Sequence, residues 1–131
     1  MENQELAYLV ARLATCGIWT SVGLFKLFHF AGFAEKLRGY GFPLPPLSAA
    51  LVIAIELVGS LCLALNVNVW AVALVWIAFT ICATWIEHRH VFDERGAIVF
   101  PEYVQVFKNV SIIGGLIFMI LLDTTRPEWL L

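Results

Sequence analysis

Charge is scarce in this sequence of 131 residues: Asp, Glu, Lys and Arg make up 14% of it, against 61% hydrophobic residues. Ordinary soluble domains carry about 25% charged and about 45–50% apolar residues. There is too little polar surface here to cover a soluble monomer, and the same apolar excess excludes disorder. A basic surplus is missing too. Eight Lys and Arg stand against ten Asp and Glu, a formal net charge of −2, which gives no reason to expect a nucleic-acid partner. Cysteine is sparse. Cys16, Cys62 and Cys82 form no C-x-x-C pair, which argues against a thiol–disulfide membrane enzyme and leaves them as small core residues. No haem, flavin or iron–sulfur signature is present. No covalently held cofactor is therefore expected.

What the sequence has instead is long apolar runs. A membrane-spanning helix needs about 20 mostly apolar residues, and four stretches qualify, at 6–30, 47–65, 69–86 and 103–122. The predicted fold is all-α: a polytopic membrane protein forming an antiparallel four-helix bundle, with 1–131 as a single transmembrane domain and the lipid bilayer as its first partner. Helices are favoured because an open sheet edge is not tolerated in lipid. The opening Met1-Glu2-Asn3-Gln4-Glu5 is acidic, unlike the basic start of a cleaved signal peptide, so the first run reads as a span. Asn66-Val67-Asn68 is a tight polar turn between spans two and three. Between spans one and two, Phe33-Ala34-Glu35-Lys36-Leu37-Arg38 mixes apolar and charged residues and reads as a short amphipathic interfacial segment. Gly39, Gly41 and Pro43-Leu44-Pro45-Pro46 then end it. Outside the spans, Lys36, Arg38, Arg89 and Arg95 lie on one side, with Lys26 and Lys108 close to it, and Arg126 on the other. By the positive-inside rule the long connections are cytoplasmic and the termini outside. Trp70, Trp85, Tyr8 and Tyr103 fall near span ends, as interfacial aromatics do.

Few ionisable groups lie inside the spans, and each costs about 2.5–3.5 kcal/mol at mid-bilayer even on lenient scales. Helical spacing puts Arg12, Thr15, Trp19, Val22, Lys26 and His29 on one stripe of the first span. Glu56, Gly59, Ser60 and Leu63 form a stripe on the second. Thr80, Thr84, and Glu87 or His88 form one on the third. On the fourth, Gln105, Lys108, Ile112, Gly115 and Met119 align, with Asn109 beside them. At 1.5 Å per residue, Arg12 lies roughly 9 Å in from the side of the termini, Glu56 near the middle, and Lys26 and Lys108 roughly 6–8 Å from the other side. Glu56 is thus expected to meet Arg12 from one side and Lys108 from the other, Arg offering a two-pronged pair. One anion among three cations leaves two readings open. The cluster either fixes helix register or forms a pocket for an anionic or redox-active ligand such as a deprotonated quinol, a sulfur oxyanion or a lipid headgroup. Glu87-His88-x-His90-x-x-Asp93-Glu94 contains metal-ligand residue types, with His88 and His90 the weak candidates. It matches no closed-site spacing, and a solvated loop is the plainer reading. Gly17, Gly23, Gly59, Gly114 and Gly115 are expected to permit close helix approach.

These residues carry a family resemblance. The sequence resembles the DoxX family of small four-helix bacterial inner-membrane proteins. The matching features are Arg12 early in span one, Gly23-Leu24-Phe25-Lys26 near its end, and Gly41-Phe42-Pro43 closing the amphipathic stretch. Glu56 with Gly59 follows, and then Phe107-Lys108-Asn109-Val110 leading into Gly114-Gly115-Leu116. The resemblance implies an association with membrane oxidoreductase systems, among them the membrane subunit of a thiosulfate:quinone oxidoreductase and complexes linked to oxidative stress. It also implies Arg12, Lys26, Glu56, Lys108 and Asn109 as the residues that matter, with no catalytic residue assigned.

Two functions follow as expectations. The first is a subunit of, or accessory to, a quinone-linked oxidoreductase, binding a quinone or small anion and docking a soluble or membrane redox partner. The second is a non-enzymatic scaffold or small-solute carrier in which the cluster is structural. Four short helices without an internal repeat are few for alternating access, a shortfall that homo-oligomerisation would remedy.

Overall fold

The computed structural model describes residues 3–123 and Glu128, with side chains from Glu5 onward. Arg126, counted above in the charge balance, lies outside the described residues. Five helices follow one another: α1 (Asn3–Phe28), α2 (Phe30–Gly39), α3 (Pro45–Ala64), α4 (Val69–Glu87) and α5 (Phe100–Leu122). Four of them contain stretches long and apolar enough to cross a membrane: Glu5–Phe28, Pro45–Ala64, Val69–Glu87 and Phe100–Leu122. At 10 residues, α2 spans only about 15 Å, half a hydrocarbon core.

The breaks between helices have local causes. The first apolar run ends before its expected limit, because His29 leaves helical geometry (φ −115°, ψ 36°) and becomes the N-cap of α2. Gly41 takes φ +80° after α2, a region open to glycine, and Leu44 is left-handed at φ 46°. Pro45, with its preset φ, then starts α3. The Ser48 hydroxyl donates to the Pro43 carbonyl at 2.7 Å and ties the new helix to the turn. Between α3 and α4, Asn66 and Asn68 are both left-handed, at φ 59° and 46°, which Asn tolerates better than most residues.

The chain divides into two compact units, Met1–Val69 and Trp70–Leu131. In the first, Arg12 meets Leu63, Cys16 meets Ser60, Gly23 lies against Glu56 and Leu57, and Lys26 meets Glu56. Numbers fall along α3 as they rise along α1. Where α1 ends, α2 takes over its role. Ala34 and Leu37 pack with Ala49 near the start of α3, and Phe30, Phe33 and Phe42 close around them.

In the second unit the Trp70 amide donates to Asp123 at 2.9 Å, Asn109 meets Thr84, and His88 meets Glu102. The connection between α4 and α5 is a small hairpin with a single bridge, Phe92 to Ile98. The Asp93 carboxylate accepts from the amides of Arg95 and Ala97, each at 2.8 Å.

Candidate functional site

Buried charge gathers in the first unit. α1 turns Arg12, Cys16, Trp19 and Gly23 inward, a run spaced by three or four residues that makes one helical stripe. Val22 and His29, expected on that stripe, are exposed. The stripe passes through Gly23 instead, and His29 belongs to the break after α1, its ring stacked on Phe25 with Nδ1 2.9 Å from that residue's carbonyl oxygen. On α3, Glu56, Gly59, Ser60 and Leu63 are all buried, as their spacing predicts.

Glu56 is 1% exposed, and its carboxylate accepts from the Lys26 ammonium. Lys26 Nζ also sits 4.9 Å from the centre of the Phe33 ring, a cation–π distance that holds the ammonium on its apolar side. Close approach at this level depends on Gly23. A Cβ there would stand 2.8 Å from Leu57 Cδ2 and 3.2 Å from Glu56 Cβ. Of the other glycines expected to allow close packing, Gly17, Gly114 and Gly115 have nothing within 4 Å of an added Cβ.

Arg12 is buried on the same face of α1. Its Nη1 donates to the Leu63 carbonyl at 3.1 Å, and its guanidinium lies 5.1 Å from the centre of the Tyr8 ring. Its Nε is buried with no hydrogen-bond partner among the described residues. The expected pairing of Glu56 with Arg12 gives way to Lys26, for a geometric reason. Leu63 follows Glu56 by two helical turns, about 10 Å, and Arg12 sits at the level of Leu63. Cys16 and Ser60 fill the step between them, the thiol donating to the Ser60 carbonyl at 3.3 Å and the Ser60 hydroxyl donating to the Glu56 carbonyl at 2.8 Å.

The remaining candidates are in the second unit. Lys108 is exposed and donates to Gln105 on its own helix. Its neighbour Asn109 is half-buried and donates to Thr84 Oγ1 at 2.7 Å, and that hydroxyl donates in turn to the Thr80 carbonyl at 2.6 Å. Of the two, Asn109 is the residue that faces α4. In the polar connection, His88 Nδ1 lies 2.8 Å from the Glu102 carboxylate, and Arg89 Nε donates to His90 Nε2 at 3.3 Å. With Asp93 engaged by its own loop, His88, His90 and Asp93 have separate partners. Among the described residues no three His, Cys, Asp or Glu side chains converge as a metal site would require. Two contacts had no sequence signal of their own: Asp123 on the α4 terminus, and Glu102 on His88.

Four apolar helices, with charge buried between α1 and α3, define a multi-pass integral membrane protein. The model of one family, DoxX, matches residues 7–89, and the chain belongs to the DoxX family. It is 30% identical over 119 residues to "Inner membrane protein YphA" of Escherichia coli (strain K12), an alignment covering 91% of this chain and 82% of that protein. No solved structure matches it significantly.

Proposed function

We propose that this protein is a subunit of, or accessory to, a quinone-linked oxidoreductase system of the bacterial inner membrane, and that Arg12, Lys26 and Glu56 bind a quinone or small anion. The observation that carries this reading is the imbalance of buried charge along one seam. Two cations, Arg12 and Lys26, line the face of α1 against which α3 supplies one carboxylate, Glu56, and that carboxylate is engaged by Lys26. Arg12 keeps a buried N–H unused, a costly condition in lipid that a ligand acceptor would relieve. Fixed cations in a water-poor site stabilise negative charge on a bound group, such as a deprotonated quinol or a sulfur oxyanion. Electrons would be exchanged through a redox partner protein.

In the same reading the four apolar helices form an antiparallel bundle, alone or with further copies of the chain, and α2 lies at the interface with Glu35, Lys36 and Arg38 toward headgroups. The termini are outside and the long connections cytoplasmic, as the excess of Lys and Arg beside those connections supports.

The test is purification from native membranes in mild detergent, followed by extraction of quinones and identification of copurifying proteins. The expected result is a stoichiometric quinone or a redox enzyme that is lost from Arg12→Gln while the fold persists. Recovery of the protein alone, with ordinary phospholipid in both parent and variant, overturns the proposal. It would favour the rival reading, a membrane scaffold or small-solute carrier in which the cluster is structural. That rival is supported by the contact of Gly23 with Glu56 and Leu57, which marks a tightly packed seam.

A further inference from the structure

The second unit contains a cleft that the charge cluster does not use. It has a volume of about 370 Å³, within the range of roughly 300–1,000 Å³ typical of small-molecule sites. Its walls are hydrocarbon: Ile81 from α4, and Val106, Val110 and Ile113 from α5. Its polar floor is Thr84 and Asn109, which are hydrogen-bonded to each other. The floor therefore presents little unmet polarity to an apolar occupant.

The mouth differs. Trp85, His88 and Arg89 stand where α4 ends, at the level where a spanning helix reaches the headgroups. Trp85 is 70% exposed, and Ile81 and Val110 are also exposed. On membrane helices such residues face lipid. The residues lining the cleft include no acidic side chain and one permanent cation, Arg89, whose Nε donates to His90. Of the acidic groups close by in sequence or contact, Glu102 is engaged with His88, Asp93 with the amides of Arg95 and Ala97, and Glu87 is partnered as well.

We propose that this cleft is a binding site for an anionic phospholipid, one acyl chain lying between α4 and α5 and the phosphate held at the mouth by Arg89. The arrangement has three parts that match such a lipid in order. Aliphatic walls suit the chain, an exposed indole suits the glycerol level, and a guanidinium suits the phosphate, to which its planar fork is fitted. Basic pockets between membrane helices at the headgroup level bind acidic lipids for the same reasons. The site lies wholly in the second unit and is independent of the quinone reading.

Trp85 provides the readout. The full-length protein is reconstituted in vesicles of phosphatidylcholine containing a minor fraction of brominated phosphatidylglycerol or, in parallel, brominated phosphatidylcholine. Trp85 emission is isolated as the difference between the parent and Trp85→Phe. The expected result is about fivefold tighter apparent association of the anionic lipid, the effect of one basic side chain near an anionic headgroup. Arg89→Gln should abolish the preference and Arg89→Lys should restore much of it. Equal quenching by the two lipids in the parent overturns the proposal, leaving bulk annular lipid only. A preference that survives in Arg89→Gln overturns it as well, because the headgroup is then held elsewhere. Quinone content measured on the same Arg89→Gln preparation should match the parent, which separates failure here from failure of the charge-cluster reading.

Discussion

The ion pair between Lys26 and Glu56 is lopsided: the carboxylate side chain is 2% exposed and the ammonium side chain 19%. Removing either partner therefore has different consequences. Lys26→Met leaves a carboxylate in the interior with its cation gone, whereas Glu56→Gln leaves an ammonium with some access to the outside. Breaking a buried pair by deleting one partner costs about 3–5 kcal/mol, and Lys26→Met should fall in that range, above Glu56→Gln. The double variant should lose less than the sum of the two, with a coupling of about 1–3 kcal/mol. Unfolding midpoints of the four proteins in detergent check this. Additive losses would show that the contact contributes nothing as a pair.

Two glycines on α1 should respond in opposite directions. Gly23→Ala places a methyl 3.2 Å from Glu56 Cβ and closer still to Leu57, an overpacking that costs about 1–3 kcal/mol. Gly17 faces open space. Gly17→Ala should stabilise by up to about 1 kcal/mol through helix propensity alone. The same unfolding assay distinguishes them, and a stable Gly23→Ala would mean that the seam is looser than described.

Adjacent residues on α5 should separate just as clearly. Asn109→Ala removes the hydrogen bond to Thr84 Oγ1 and should cost about 0.6 kcal/mol, the average for such bonds between membrane helices. Lys108→Ala removes only an exposed contact with Gln105 and should be neutral in stability. A larger loss from Lys108 than from Asn109 in parallel melts would reverse their assigned roles.

Asp123 acts as a cap from a distance. It is 2% exposed and accepts from the Trp70 amide at the start of α4, one of the backbone donors that a helix leaves unmet. Asp123→Ala should destabilise by about 1 kcal/mol. Hydrogen exchange at the Trp70 amide should quicken by about fivefold, the factor that about 1 kcal/mol represents. Unchanged exchange there would remove the capping role.

The helices were legible because lipid solvation demands long apolar runs, and the sequence contains four. The break at His29 was not, since no Pro or Gly marks it. The stripe of Glu56, Gly59, Ser60 and Leu63 follows from helical spacing and is buried as a set. The partner of Glu56 escaped a reading by depth. That estimate places each residue by its distance from its own span's end, so Lys26 falls near a membrane edge. In the structure α1 stops opposite the middle of α3, and α2 packs with the first part of α3 in its stead. Register between helices is set by contacts such as that of Gly23 with Leu57, which no single-span arithmetic contains.

The division of the chain into two compact units has a consequence of parity. One unit holds α1 and α3, the other α4 (all but its first residue) and α5, and α2 is too short to cross. In the proposed topology each unit therefore makes an even number of crossings and brings the chain back to the face from which it set out. In that topology a cut in the Asn66-Val67-Asn68 turn would yield two pieces that each begin and end on one face. Duplicating, deleting or separately encoding either piece would leave the insertion sense of the other unchanged. In the proposed topology a gene could recombine at that turn without turning its product inside out.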